Sequence, residues 1–298
     1  MVASTLRHQP SSIVKYVALL LLQAVISIRT ELVTVPVTVT DPRGIHVSGL
    51  DRDDFRVYED GRLRPIEVFH HGDAPVTLGL IVDRSGSTRA QGAVLQAAVS
   101  AVLQVIRADD EIFAVGFNDE ATFARLDSQP FTSNPSEIER ALSAIPQAGR
   151  TALYDGVFKG LKHLEQGRSA KKVLVVFSDG GDNASRETYG RVLALARRSE
   201  AVVYAMGLPA TSPYRDQENA GLLKRLCKDT GGVAYFPRAA TDTIAAAMHM
   251  AGDFREQYLL GFVPEADGRA FRKIEVRVST TGHGRLRVRA RPGYVMAP

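Results

Sequence analysis

Residues 76–82, Val-Thr-Leu-Gly-Leu-Ile-Val, form a short continuous run rich in branched side chains that stops abruptly at Asp83-Arg84-Ser85-Gly86-Ser87. Such a run reads as a strand buried on both faces. The loop that ends it offers one carboxylate and two hydroxyls at alternate positions, and Gly86 tightens the turn so that all three oxygens can converge. No sulfur or imidazole is present there. Hard oxygen donors of low total charge suit Mg²⁺ or Mn²⁺. A buried strand ending in a polar loop places that loop at the carboxyl edge of a sheet, where open α/β folds bind ligands.

Two later segments add to this loop. Gly149-Arg150-Thr151 precedes a helical pattern formed by Leu153, Val157, Leu161 and Leu164. Lys172 to Ser178 is a second apolar run, ending in Asp179-Gly180-Gly181-Asp182. Between residues 75 and 250 such runs alternate with helical patterns. Strands are expected at 76–82, 112–117, 172–178, 201–206 and 233–236, with Ala121 to Leu126 pairing beside the second. Helices are expected near 89–107, from Asn134 to about 145, and near 186–199, 217–229 and 241–255. Asn134-Pro135-Ser136-Glu137 carries a helix start: Asn as cap, Pro in the first turn and Glu three residues on. The alternation predicts an α/β fold, a doubly wound, mostly parallel sheet with helices on both faces.

The flanks read differently. Val33, Val35, Val37 and Val39 alternate with Thr34, Pro36, Thr38 and Thr40, a period of two. Pro36 marks that strand for an edge or a bulge. Asp60-Gly61 between Phe55–Tyr58 and Leu63–Phe69 signals a hairpin. After residue 256, Tyr258–Val263, an alternating stretch around Ile274, Val276 and Val278, and another around Leu286, Val288 and Ala290 are strands, the last two joined by a turn at 280–284. Three strands alone bury too little surface to stand by themselves. The two ends are therefore expected to form one small β-sandwich, with the α/β unit inserted. The organisation predicted is 1–28, 29–72 (β), 73–255 (α/β) and 256–298 (β, packing with 29–72).

At Asp83, Ser85, Ser87, Thr151 and Asp179 the chain resembles the von Willebrand factor type A domain with its metal-ion-dependent adhesion site, and all five motif positions match. One departure is Arg150, where many relatives carry Gly before the Thr. The layout from Val33–Thr40 through Asp54-Phe55 and Tyr58-Glu59-Asp60-Gly61 to Tyr258-Leu259-Leu260-Gly261 also resembles a bacterial exported family related to that domain, first described in acidobacteria. The resemblance implies that the five residues hold one Mg²⁺ or Mn²⁺. It implies a protein-binding module for adhesion or interaction, whose partner supplies an Asp or Glu carboxylate. Arg150 and Asp182 are the residues expected to touch that partner. Two alternatives stand beside this: a metal-assisted phosphoester hydrolase, and a scaffold in which the metal only staples the loops. Few groups near the motif could serve as general acid or base, which favours a module that is not an enzyme.

Residues 1–28 suggest export. Arg7 and Lys15 precede an apolar core from Val17 to Ile28 that fits a signal peptide and is short for a membrane span of about 20 residues. The expected location is the periplasm, the cell envelope or the medium, with an uncleaved N-terminal anchor as the other reading. The single cysteine, Cys227, sits in a helical apolar stripe and is expected to be a buried core thiol. His70-His71 are expected at the surface of the junction between terminal and central units. No Gly-x-Gly-x-x-Gly, Gly-x-x-x-x-Gly-Lys-Ser/Thr, Gly-x-Ser-x-Gly or His-Glu-x-x-His occurs. The net charge is +4, yet residues 269–291 hold eight Lys/Arg against the single acid Glu275. Arg285, Arg287, Arg289 and Arg291 alternate, which puts them on one strand face. That face is expected either to be solvated or to meet an anionic component of the envelope. Nucleic acid is not an expected partner, since no aromatic residues interleave with the charge.

Overall fold

The computed structural model describes residues 32–72, 74–127, 130–208, 217–265, 268–280 and 284–296. Residues 1–28, expected to direct export, and most of the 280–284 turn lie outside the described residues.

The central unit is a six-stranded sheet. Its strands are β5 (Val76–Asp83), β6 (Glu111–Phe117), β7 (Ala121–Phe123), β8 (Lys171–Phe177), β9 (Val202–Met206) and β10 (Ala234–Tyr235), in the order β10-β9-β8-β5-β6-β7. Every pairing is parallel except β6 with β7. β5 sits in the interior of the sheet, and all eight of its residues are buried, as its unbroken apolar run requires. Six helices cover the sheet: α1 (Gly92–Leu103), α2 (Pro135–Ser143), α3 (Leu153–Leu164), α4 (Tyr189–Arg198), α5 (Gln217–Thr230) and α6 (Ala240–Arg255). α1 packs with α2 and α6, while α4 packs with α3 and α5. The sheet is thus wound on both sides. In α3 the buried Leu153, Val157, Leu161 and Leu164 recur at three- and four-residue spacing, which lays one stripe on the sheet. Asn134 caps α2 as its sequence predicts, its side chain accepting from the Ser136 N–H at 3.1 Å. Cys227 is fully buried, and burial pushes its thiol pKa well up.

The flanking segments make two four-stranded antiparallel sheets. They comprise β1 (Val33–Thr40), β2 (Phe55–Glu59), β3 (Arg62–Arg64), β4 (Val68–His70), β11 (Tyr258–Phe262), β12 (Phe271–Val278), β13 (Arg287–Arg289) and β14 (Gly293–Val295). One sheet runs β13-β1-β11-β4 and the other β14-β12-β2-β3. Val35, Val37, Val39, Phe55, Val57, Tyr258, Leu260, Phe262 and Ile274 share one buried core between them, with the Phe55 and Tyr258 rings 4.9 Å apart. Each sheet mixes strands from both ends of the chain, as expected.

Four local expectations need correction. Leu63–Phe69 is not one strand: it divides into β3 and β4, which belong to different sheets, with Pro65 between them. β1 is not an edge strand, since β11 and β13 flank it. However, β13 pairs only with Thr38–Thr40, so at Pro36 one side of β1 carries no ladder and the missing N–H is tolerated. The four arginines of 285–291 do not make one solvated face. Arg289 turns inward to Asp253 (2.5 Å), the Thr38 hydroxyl (3.1 Å) and the Gly231 carbonyl (3.1 Å). Arg291 is buried and donates to the carbonyls of Arg197 (2.6 Å), Ser199 (2.9 Å) and Gly293 (2.9 Å). Two of the four thus fasten the sandwich to the central unit, and only Arg285 and Arg287 are exposed. His71 likewise stacks on Tyr258, with ring centroids 4.0 Å apart.

Candidate metal-binding site

β5 delivers Asp83 to the carboxyl edge of the sheet, and the chain then enters a short 3₁₀ turn over Gly86–Gln91 before α1. Asp83 is fully buried and Ser85 is 1% exposed, whereas Ser87 faces solvent. The Ser85 backbone N–H (2.9 Å) and hydroxyl (2.5 Å) both donate to Asp83 Oδ1. The Ser85 and Ser87 hydroxyls are 3.0 Å apart. Ser87 in turn donates to Asp179 Oδ2 at 3.1 Å, which joins the first loop to the end of β8. Asp83, Ser85, Ser87 and Asp179 therefore form one chain of contacts, as their shared position at strand ends predicts.

Thr151 arrives through the backbone. The Gly86 N–H donates to the Gly149 carbonyl at 3.1 Å, and the Ala148 N–H to the Arg84 carbonyl at 2.9 Å. These two bonds lay the 148–151 loop against the 84–87 loop. Gly149 has φ +83°, and a Cβ there would run into the Asp119 carboxylate, so glycine is required on both counts. The Thr151 N–H donates to Asn183 Oδ1 at 2.9 Å, and its carbonyl accepts from the Asn183 and Ala184 N–H groups. The three loops are thus stitched into one rim.

Two residues that sequence reasoning did not single out complete the site. Ser178, fully buried, donates to Asp83 Oδ2 at 2.9 Å and accepts from the Gly180 N–H at 3.0 Å. The buried Thr88 hydroxyl donates to the Ser85 carbonyl at 3.1 Å and so braces the loop from below. Ser178 acts across the fold and Thr88 within the loop itself. The expected partner-contacting residues are engaged internally. Arg150 is exposed, and its backbone N–H (3.2 Å) and Nε (3.1 Å) both donate to Asp119 Oδ1. That backbone hydrogen bond, together with the guanidinium, holds the Asp119 carboxyl below its usual range. Asp182 Oδ1 accepts from the Ser185 hydroxyl (2.5 Å) and the Tyr154 N–H (3.2 Å) at the start of α3.

The electrostatics leave negative charge without a counter-charge. Burial pushes the Asp83 pKa up to about 6, the nearby Asp179 charge adds to this, and the Ser85 and Ser178 hydrogen bonds oppose it. Among the described residues neither Asp83 nor Asp179 pairs with a Lys or Arg. Two carboxylates and three hydroxyls at a loop rim fit a small hard cation, which would supply the missing positive charge. Among the described residues no group of three or more His, Cys, Asp or Glu side chains is placed to share a metal ion. The donor set here instead depends on serine and threonine oxygens.

Comparison with known proteins agrees with this architecture. Residues 78–181 match the model of the von Willebrand factor type A domain. A von Willebrand factor type A protein from Catenulispora acidiphila superposes with a TM-score of 0.55 at 11% identity, over 81% of this chain and 73% of that one. The D319A mutant of the PilB minor pilin from Streptococcus sanguinis gives 0.50 at 13% identity, over 65% and 64%. Proximal thread matrix protein 1 from the mussel byssus gives 0.52 at 15% identity, over 66% and 51%. No curated protein matches the chain. Identities this low speak for the fold alone. The family match runs from β5 through the loop after β8, so this part of the central α/β unit is similar to the von Willebrand factor type A domain, and the solved structures share its fold.

Proposed function

We propose that the protein is an exported interaction module whose central domain receives a partner's carboxylate with the help of a divalent cation. The observation that carries this reading is Asp83: a fully buried carboxylate with only neutral donors, Ser85 and Ser178, beside a second carboxylate, Asp179, tied in through Ser87. A carboxylate held this way is costly without a cation. Asp83, Ser85, Ser87, Thr151 and Asp179 would hold Mg²⁺ or Mn²⁺, which when bound supplies a hard, positive acceptor for an Asp or Glu of a protein partner.

The chain's own residues do the positioning. Ser178 and Ser85 keep Asp83 ionised and oriented, and Thr88 fixes the turn behind them. Gly149 lets the Thr151 loop approach without a side chain in the way. A binding role is preferred to hydrolysis because, among the described residues, the side chains hydrogen-bonded to the five ligands are hydroxyls, carboxylates and the Asn183 amide, with no histidine among them. Display outside the cytoplasm is supported by the charged and apolar pattern of residues 1–28. The fold's recurrence in a minor pilin agrees with that location.

The test is retention of the protein on immobilised envelope extract in Mg²⁺ and in EDTA, for wild type and Asp83→Ala. Retention in Mg²⁺ that both EDTA and the substitution abolish is expected. Binding that survives both would defeat the metal-receptor mechanism.

A further inference from the structure

A second site lies behind the metal-binding loop, on the other side of Arg84. Between α1 and α2 a cavity of about 210 Å³ opens beside β5. Its floor is apolar: Val82, Leu95, Val99 and Leu142 are each at most 5% exposed. Two half-buried side chains of opposite charge also line it, Arg84 and Glu139. They do not pair with each other, and among the described residues neither has a charged partner. Arg84 donates Nε (3.1 Å) and Nη2 (2.8 Å) to a neutral group, the Ile145 carbonyl. Glu139 accepts from the neutral Ser100 hydroxyl. Two opposite charges thus line one apolar floor, and each is held only by a neutral group, which leaves both able to meet an opposite charge on a ligand.

The complement of such a lining is a small zwitterion with an apolar tail. We propose that this cavity binds a free aliphatic α-amino acid of leucine size, with its carboxylate on Arg84, its ammonium on Glu139 and its side chain over Val82, Leu95, Val99 and Leu142. The volume suits that class. A dry cavity of roughly 150 Å³ holds a benzene molecule, and drug-sized ligands need roughly 300 Å³ or more. A charge-assisted hydrogen bond at each end and apolar burial between them give the orientation. Selectivity follows from the same pair, since an analogue lacking one charged group leaves a half-buried partner unmatched.

None of the five metal ligands lines the cavity, although Arg84 stands between Asp83 and Ser85, so the test is run in EDTA to keep it independent of the cation. Titration calorimetry of the full chain with leucine, 4-methylpentanoate and 3-methylbutylamine compares the zwitterion with each singly charged analogue. Leucine is expected to bind about tenfold or more tightly than either. Glu139→Gln should weaken leucine about tenfold and remove its advantage over 4-methylpentanoate. Arg84→Gln should weaken it at least as much and remove the advantage over 3-methylbutylamine. Circular dichroism of both variants reports that the fold is retained. No heat with leucine, equal affinity for 4-methylpentanoate, or undiminished binding by Glu139→Gln would each overturn the proposal.

Discussion

Ser178 illustrates how the site depends on residues that chemistry alone does not flag. Its hydroxyl is one of two side-chain donors to a carboxylate that water cannot reach. Ser178→Ala leaves Asp83 Oδ2 without that bond, at an expected cost of about 1–3 kcal/mol. Urea unfolding in EDTA measures this, and an unchanged midpoint would show that the bond carries no weight. The five candidate ligands were legible in the sequence because each stands at the end of an apolar run or just before a helical stripe. Ser178 and Thr88 were not, because a hydroxyl is ordinary at any loop. The link from Ser178 to Asp83 spans 95 positions and exists only once β8 lies beside β5. The role of Arg150 was hidden for the same reason, since Asp119 meets it only through the loop packing, whereas Asp182 meets Ser185 within its own loop.

Among the elements, those with a continuous or strictly periodic pattern were legible, and those defined by their neighbours were not. β5, β8 and α3 follow directly from apolar runs and stripes. β3 and β4 looked like one strand because Pro65 interrupts but does not reveal that the halves join opposite sheets. Alternation likewise says which residues share a face but not what covers that face, so the arginines of β13 and beyond were expected in solvent. The contact they make instead is charged. Asp253 on α6 is fully buried, with His46 Nε2 at 2.6 Å and Arg289 at 2.5 Å. Burial alone would raise its pKa, but the His46 hydrogen bond and the Arg289 charge outweigh burial and hold it below the usual range. A carboxyl depressed on folding contributes stability above its unfolded pKa of about 3.9, lost as pH falls through its lower folded value. Asp253→Asn should therefore cost roughly 2–3 kcal/mol at neutral pH. That is below the full penalty for a broken buried pair, because Arg289 retains some water. The gap to wild type should narrow below about pH 4. A gap constant from pH 7 to pH 3 would contradict this. Within β5, Gly79 is fixed by packing: a Cβ would stand 2.5 Å from Phe113 Cζ and 2.7 Å from Leu174 Cδ1. Gly79→Ala should destabilise by about 1–3 kcal/mol in thermal unfolding, through overpacking, and an unchanged melting temperature would show that the sheet relaxes freely.

At the scale of the whole molecule, the sandwich and the α/β unit are interlocked. β11 lies between β1 and β4, and β12 between β14 and β2, so residues 256–298 supply an interior strand to each sheet. Removing them exposes the apolar faces of β1 and β2 and leaves long unpaired edges. A chain ending at residue 255 is expected to aggregate on size-exclusion chromatography, and a monodisperse soluble truncation would contradict the shared core. This interdependence was legible from strand counts at the two ends; the docking through Arg289 and Arg291 was not. The molecule that results holds its loop rim at the carboxyl edge of the central sheet, where the buried Asp83 and the half-buried Asp179 lack a counter-charge among the described residues. Calorimetric titration of the full chain with MgCl₂ tests that reading most directly. One saturable site is expected for wild type and none for Asp83→Ala, whose circular dichroism spectrum should match wild type. Equal heats for the two proteins would contradict it.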